Sequence, residues 1–303
     1  MSEETVTIPS AGLRLTGTVR VPSGVRPGER RAAFMVLHGF GSNHTSSNVL
    51  QPSKVLGDLG YVTLGFDMRG CGTSEGERGN LICLEQVEDT RNALTFLAKH
   101  PAVDGARIGV IGSSFGGAVA VYSGGVDERI AAVISNGGWG DGERKFRGQH
   151  PTPEAWKKFS DMLDQGRGYR AKHGKPLMVP RYDIVPIPQH LRTNLAANSI
   201  HEFTWDTARS MFDFRADDVV GKIAPRPLLL LHAANDSVTP TEQSIEMFKR
   251  AGQPGELHLI SDADHFMFGE NNTRVWNLVR DWLADYFPAT QAATKKVAAA
   301  GGH

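Results

Sequence analysis

The sequence predicts a doubly wound, mostly parallel eight-stranded α/β sheet with one large insertion after its sixth strand. Three observations lead there. Short apolar runs of strand length alternate with amphipathic stretches of helix length from about residue 32 onward. That rhythm stops near Gly140, and it resumes at residue 227 with the run PLLLLH. Finally, the central runs are continuously apolar, as strands covered on both faces by crossover helices must be.

Taken in order, residues 5–9 and 13–21 alternate as an antiparallel pair about a turn at Ser10–Gly12. After a polar Pro/Gly loop at 26–30, residues 32–37 form the first buried strand and end in His-Gly. A helix over 49–59, a strand over 61–66, a helix over 84–99, a strand over 107–111, a helix over 116–123 and a strand over 130–135 follow. Within the insertion, helices are expected over 153–165 and 206–214, while MVPRYDIVPIP (178–188) holds too many prolines for a regular central strand. The final elements are the strand 227–232, helix 241–251, strand 256–260 and helix 273–286. The expected organisation is therefore a discontinuous core of 1–140 and 216–288, an inserted cap at 141–215, and a disordered tail at 289–303.

Composition narrows the function. Lys+Arg and Asp+Glu both number 33, so the net charge is zero, with no electrostatic reason to bind nucleic acid or an anionic membrane. A small-molecule substrate is the expected partner, and a homodimer stays open. The two cysteines, Cys71 and Cys83, form no CxxC pair, the N-terminus MSEETVTIPS lacks the basic and apolar regions of a signal peptide, and no apolar run reaches membrane-spanning length. A cytoplasmic location is expected. Neither HExxH nor a Cys/His cluster occurs, so no metal and no cofactor are expected.

The chemistry concentrates at strand ends. Residues 112–116 read Gly-Ser-Ser-Phe-Gly and fit the G-x-S-x-G elbow in one register, with Ser114 at the tip. A strand precedes the motif and a helix follows it, which is the context a strained, exposed nucleophile requires. A serine hydroxyl needs a base, and histidine suits because its ordinary pKa of about 6.5 lets it take and return a proton. Of the 11 histidines, His265 in Asp-Ala-Asp-His-Phe follows a strand on the edge where Ser114 lies. The acid that orients it should also follow a strand, between nucleophile and base in sequence. Asp236 in LLLLHAANDSVTP meets both conditions, and Asp141 is its rival; Asp262 and Asp264 stand too near His265 and are expected to cap the loop. Glycines in His-Gly-Phe-Gly (38–41) would let the Phe40 N–H turn inward beside that of Phe115 as an oxyanion hole, with His38 a structural residue.

HGFGSN, FDMRGCGTSEG, GSSFGG, LLLLHAANDSVTP and DADHF, in this order, resemble the motif series of the α/β-hydrolase superfamily over residues 31–286, the insertion excepted. The resemblance is nearest to its esterase, lysophospholipase and prolyl-oligopeptidase-like branches. It implies a triad of Ser114, Asp236 and His265, an oxyanion hole from Phe40 and Phe115, and a structural loop at Asp67, Arg69 and Gly70. It also implies a cap over the pocket. Trp139, Trp156, Tyr169, Tyr182, Trp205, Met211, Phe212 and Phe214 are candidates to line it, with Trp139, Trp205, Met211 and Phe212 expected to meet substrate. Lys157, Lys158, Arg167, Arg170 and Lys172 are expected to be a solvated face. The expected reaction is hydrolysis of a carboxylic ester through an acyl-enzyme. Peptide, amide, thioester, lactone or C–C cleavage, acyl transfer, and a non-catalytic receptor on the same fold are the alternatives.

Overall fold

The computed structural model describes residues 1–270 and 272–290, so all but the first two residues of the expected tail lie outside it. β1 (Ser2–Ser10) and β2 (Leu13–Val21) form the leading hairpin. Its two turn residues, Ala11 and Gly12, have φ of 48° and 81°, the left-handed pair that matches the twist of a two-residue hairpin. Then come β3 (Arg31–Leu37), α1 (Ser47–Asp58), β4 (Val62–Phe66), α2 (Cys83–Leu97), β5 (Val103–Ser113), α3 (Phe115–Val126) and β6 (Ile130–Asn136). Between β6 and the next sheet strand lie α4 (Gly142–Gln149), α5 (Pro153–Gly166), α6 (Tyr169–His173), β7 (Met178–Pro180), α7 (Arg181–Ile184), β8 (Glu202–Thr204) and α8 (Trp205–Asp213). β9 (Leu228–Ala233), α9 (Glu242–Arg250), β10 (Gly255–Ile260) and α10 (Thr273–Tyr286) complete the chain.

The eight-stranded sheet runs β1-β2-β4-β3-β5-β6-β9-β10, with β1–β2 and β2–β4 antiparallel and the remaining pairs parallel. The period of two along each strand sorts its side chains into two cores. Ala33, Met35 and Leu37 of β3 join Leu228 and Leu230 of β9 on one face, under α2, α3 and α9. Ala32, Phe34 and Val36 join Leu229, Leu231 and Ala233 on the other, under α1 and α10. Each fully buried Leu, Val, Phe or Met among them contributes roughly 1.5–3 kcal/mol. The doubly wound parallel sheet is thus the one expected.

Several elements differ from those expected. β5 begins at Val103 rather than 107, because the polar stretch after Val103 is carried by an irregular register against β3 instead of ending the strand. α4 was not anticipated: its two glycines weaken the helical signal, yet Asp141 caps it by accepting from the Arg144 N–H at 2.8 Å, and Phe146 is fully buried. The proline-rich 178–188 segment contributes only β7, paired antiparallel with β8 outside the main sheet.

Hydrogen bonds fasten the inserted residues to loops at the C-terminal ends of the strands. Ile200 N–H donates to the Gly41 carbonyl (2.9 Å), Thr204 N–H to that of Gly79 (2.9 Å), and the Thr207 hydroxyl accepts from Leu81 N–H (2.7 Å). The insertion therefore sits on the edge that carries the site.

Lys145 is unusual within it. It is 2% exposed, donates to Gln149 Oε1 at 2.9 Å, and lies over the rings of Phe146 (4.0 Å to the centroid) and Trp139 (4.8 Å). Burial pushes its pKa down to about 7. The folded state therefore loses this proton near pH 7 and the unfolded chain near 10.5, so stability rises with pH between those values. Lys145→Met is expected to stabilise the protein at pH 7 by about 1–2 kcal/mol, and the gain should shrink toward pH 10. Melting temperatures at the two pH values measure this; an equal or larger gain at high pH would refute it.

Candidate active site

The elbow is built by sterics. Ser114 has φ 57° and ψ −116°, a conformation that costs a non-glycine residue about 1–3 kcal/mol. The chain can turn so sharply only because its flanks are bare. A Cβ at Gly112 would stand 2.1 Å from the Gly116 carbonyl oxygen, and one at Gly116 would stand 2.6 Å from those of Leu37 and His38. The Ser114 N–H is held by the Asn136 carbonyl at 2.8 Å, which ties the elbow to β6.

The Ser114 hydroxyl donates to His265 Nε2 at 2.8 Å, and His265 Nδ1 donates to Asp236 Oδ2 at 2.8 Å. Because a carboxylate only accepts, this contact fixes the proton on Nδ1 and leaves Nε2 free to accept from the serine. Asp236 is itself pinned: Oδ1 accepts from the N–H groups of Val238 (2.8 Å) and Thr239 (2.7 Å). Burial alone would raise its pKa, but the charge on His265 and hydrogen bonds from His232 and His265 outweigh it, holding the carboxyl well below its usual range. Asp141 is elsewhere, capping α4 and facing Arg215 at 3.2 Å. Asp264 joins the two loops, accepting from the Ser237 N–H (2.9 Å), the Ser237 hydroxyl (2.7 Å) and the His265 N–H (2.8 Å).

The His38–Gly41 turn lies against the nucleophile; a Cβ on Gly39 would fall 3.9 Å from Ser114 Cβ. His38 Nδ1 donates to the Gly39 carbonyl (2.8 Å) and Nε2 accepts from the Met68 N–H (3.1 Å), so this ring staples two turns together. Phe115 opens α3, where an N–H has no intrahelical acceptor. The Phe40 and Phe115 rings stand 6.0 Å apart; Phe40 lines the pocket and the Phe115 side chain is buried. Below them, Asp67 accepts from His44 N–H (2.6 Å) and Thr73 N–H (2.9 Å), Arg69 pairs with Asp89 (2.6 Å), and Gly70 takes φ 74°.

The pocket beside Ser114 corrects the expected lining. Its walls are Phe40, Arg181, Val185, Ile187, Leu195, Val238 and Phe266, with Ser42, Asn48 and Asn194 as polar members. Trp139, Trp205, Met211 and Phe212 are not among them. Trp139 is buried edge-on against Phe115 (5.6 Å) and Phe214 (6.2 Å), and Met211 is 1% exposed in the main core. Phe212 stacks on the Phe146–Phe159 cluster, and Trp205 Nε1 donates to the Leu163 carbonyl (3.0 Å). Phe212 and Trp205 thus pack within the insertion, while Trp139 and Met211 belong to the main core. Lys157, Lys158 and Arg170 pair at the surface with Asp161, Asp183 and Asp206.

Two residues of the site had been passed over. His232 is fully buried; its Nε2 donates toward Thr239 O (3.0 Å) and Asp236 Oδ2 (3.3 Å), while Nδ1 accepts from the Ser244 hydroxyl (2.6 Å). It contacts the same Asp236 Oδ2 that His265 holds, a second donor to the acid. The signal available was the lone polar side chain ending an all-leucine strand, four residues before Asp236. Arg181, within the proline-rich segment, was hidden among surface charges that look identical in sequence.

The family model described as "Serine aminopeptidase, S33" matches residues 28–272. The chain belongs to this family of α/β-hydrolases. Among its relatives, thiohydrolase aneE of Aspergillus aculeatus is 25% identical over 275 residues, covering 84% of this chain and 83% of the relative. Polyketide transferase grgF of Penicillium sp is 25% identical over 258 residues, covering 80% and 84%; the crystal structure of this α/β-hydrolase superposes with a TM-score of 0.78 at 22% identity over 94% and 99% of the two chains. The structure of hypothetical protein PA2218 from Pseudomonas aeruginosa gives 0.79 at 24% identity, covering 94% of both chains. At these identities the solved structures speak for the fold. The chain is a member of a hydrolase family, and among the described residues no helix is long and apolar enough to cross a membrane.

Proposed function

We propose that this protein hydrolyses a carboxylic ester of a small organic acid through an acyl-enzyme on Ser114. One observation carries the reading: the unbroken hydrogen-bond chain Ser114–His265–Asp236. As Ser114 Oγ attacks the acyl carbon, its proton passes to His265 Nε2, and the Asp236 carboxylate balances the imidazolium. The carbonyl oxygen takes up the negative charge facing the N–H groups of Phe40 and Phe115, each worth about 10²–10³ in rate. Collapse breaks the bond to the leaving group, which receives the His265 proton. Water then gives a proton to His265, attacks the acyl carbon, and releases the acid as Ser114 recovers its proton. Residues 141–215 serve as a cap that closes the pocket over the acyl chain.

A thioester in place of the ester is the second reading, favoured by relatives named as a thiohydrolase and a polyketide transferase. The same steps apply, with a thiolate leaving. The test presents one acyl group as 4-nitrophenyl ester, N-acetylcysteamine thioester and 4-nitroanilide, alongside a fluorophosphonate probe. Ser114 should be labelled, the ester turned over, and the anilide turned over far more slowly. Folded protein that takes no label would sink the serine mechanism, and turnover confined to the thioester would select the second reading.

A further inference from the structure

Arg181 is 3% exposed and lines the same pocket as Ser114 and His265. Two of its N–H groups go to backbone carbonyls, those of Phe40 (2.6 Å) and Ile200 (2.8 Å), and its buried Nε has no partner. Among the described residues none of the ion pairs includes it, and the ionisable groups that act on it are the weakly acidic Tyr182 and Cys71. Arg69 shows how the same fold treats a structural arginine: nearly as buried, it meets Asp89 at 2.6 Å and Glu88 at 2.7 Å. Holding the Phe40 carbonyl needs a donor but not a charge, and an unbalanced buried cation is costly. The rest of the pocket wall mixes apolar Val185, Ile187, Leu195 and Val238 with the neutral Ser42, Asn48 and Asn194, so among the described residues no acidic side chain lines it. The guanidinium is also rigidly seated, lying over the Phe40 ring at 5.2 Å and packed so closely that a Cβ on Gly41 would come within 3.1 Å of Nη1.

We propose that Arg181 is an anion-binding residue of the substrate pocket, and that the preferred acyl group carries a second, distal carboxylate or comparable anion. This rests on the Ser114 reading above. An anion brought into the pocket would supply the missing counter-charge in a largely apolar, water-poor setting, where a charge-assisted hydrogen bond to a guanidinium is strongest. Burial already pushes the pKa of Arg181 down to about 10, as expected of a cation without its partner. The side chain is preorganised, so little ordering cost attends binding.

The experiment compares 4-nitrophenyl half-esters of succinate, glutarate and adipate with the butanoate, pentanoate and hexanoate esters of matched length. At the best length kcat/KM should favour the anionic ester at least tenfold in the wild type. That preference should vanish or invert in Arg181→Met and survive in part in Arg181→Lys. Loosening of the Phe40 turn by the substitution would slow both esters alike and leave the ratio untouched. In parallel, glutarate should slow fluorophosphonate labelling of Ser114 in the wild type but not in Arg181→Met, while pentanamide should slow neither. Both wild-type measurements stand even if the variant fails to fold, and the labelling result decides if no ester is turned over. Labelled Ser114 with no anion preference or protection overturns the anion site alone, and a preference that persists in Arg181→Met overturns its assignment to Arg181. A folded protein whose Ser114 takes no label overturns this proposal together with the serine reading.

Discussion

Ser114→Ala is expected to lower kcat on a 4-nitrophenyl ester by on the order of 10⁶-fold, since the other members of a triad contribute little once the nucleophile is gone. The protein should remain folded. Alanine must still adopt φ 57°, but the bare flanks at Gly112 and Gly116 that allow the turn are unchanged. The lost hydroxyl had one polar partner, His265 Nε2, and that nitrogen borders the pocket, where water can replace the bond. Catalysis and stability should therefore separate cleanly. Single-turnover kinetics, intact-mass detection of the fluorophosphonate adduct and a melting curve test this. A variant that keeps more than about 1% of activity would show that another group carries the chemistry.

Asp236→Asn should cost about 10⁴-fold in kcat, while Asp141→Asn should stay within a few-fold. An asparagine at 236 can still accept from the Val238 and Thr239 N–H groups through its one oxygen, but its amide nitrogen would then face the N–H groups of His265 and His232. The His265 ring would have to exchange tautomers, placing a proton on Nε2 where it must accept from Ser114. Asp141 only caps α4 and meets Arg215, so its amide keeps most of its contacts. The depressed pKa of Asp236 gives the sign of the pH effect. Its contribution to stability is fully present above the ordinary carboxylate range and is lost only as pH falls through its lower folded value. The Asp236→Asn deficit should accordingly persist at every pH from 5 to 9. A larger loss from Asp141→Asn than from Asp236→Asn would overturn the assignment of the acid.

Much of the fold could be read residue by residue. Residues 32–37 and 227–232 were legible as buried strands because a strand covered on both faces is apolar at every position, whichever neighbours it meets. The hairpin turn at Ser10–Gly12 was equally legible, from alternation on both sides and turn residues between. α4 was not, because its stability comes from a cap and from burial of Phe146 rather than from helical propensity. The expected pocket lining failed for a related reason. Trp139, Trp205, Met211 and Phe212 are large and apolar in any sequence, but whether a ring faces substrate or its own core depends on the direction in which a neighbouring helix packs.

Residue order alone implies that the chain turns sharply at Ser114, that a histidine and an acid follow later strands, and that these strands share one edge. Each of these follows from short-range sterics and from the periodicity of buried strands. Packing alone set that His232 contacts the acid and that Arg181 enters the pocket with no ion-pair partner among the described residues. The His265–Asp236 contact spans 29 residues and the Arg181–Phe40 contact 141, so their meeting is set by how whole elements pack. Charge, unlike sterics, leaves no periodic trace in a sequence: a lone buried arginine and a solvated one are spelled the same way.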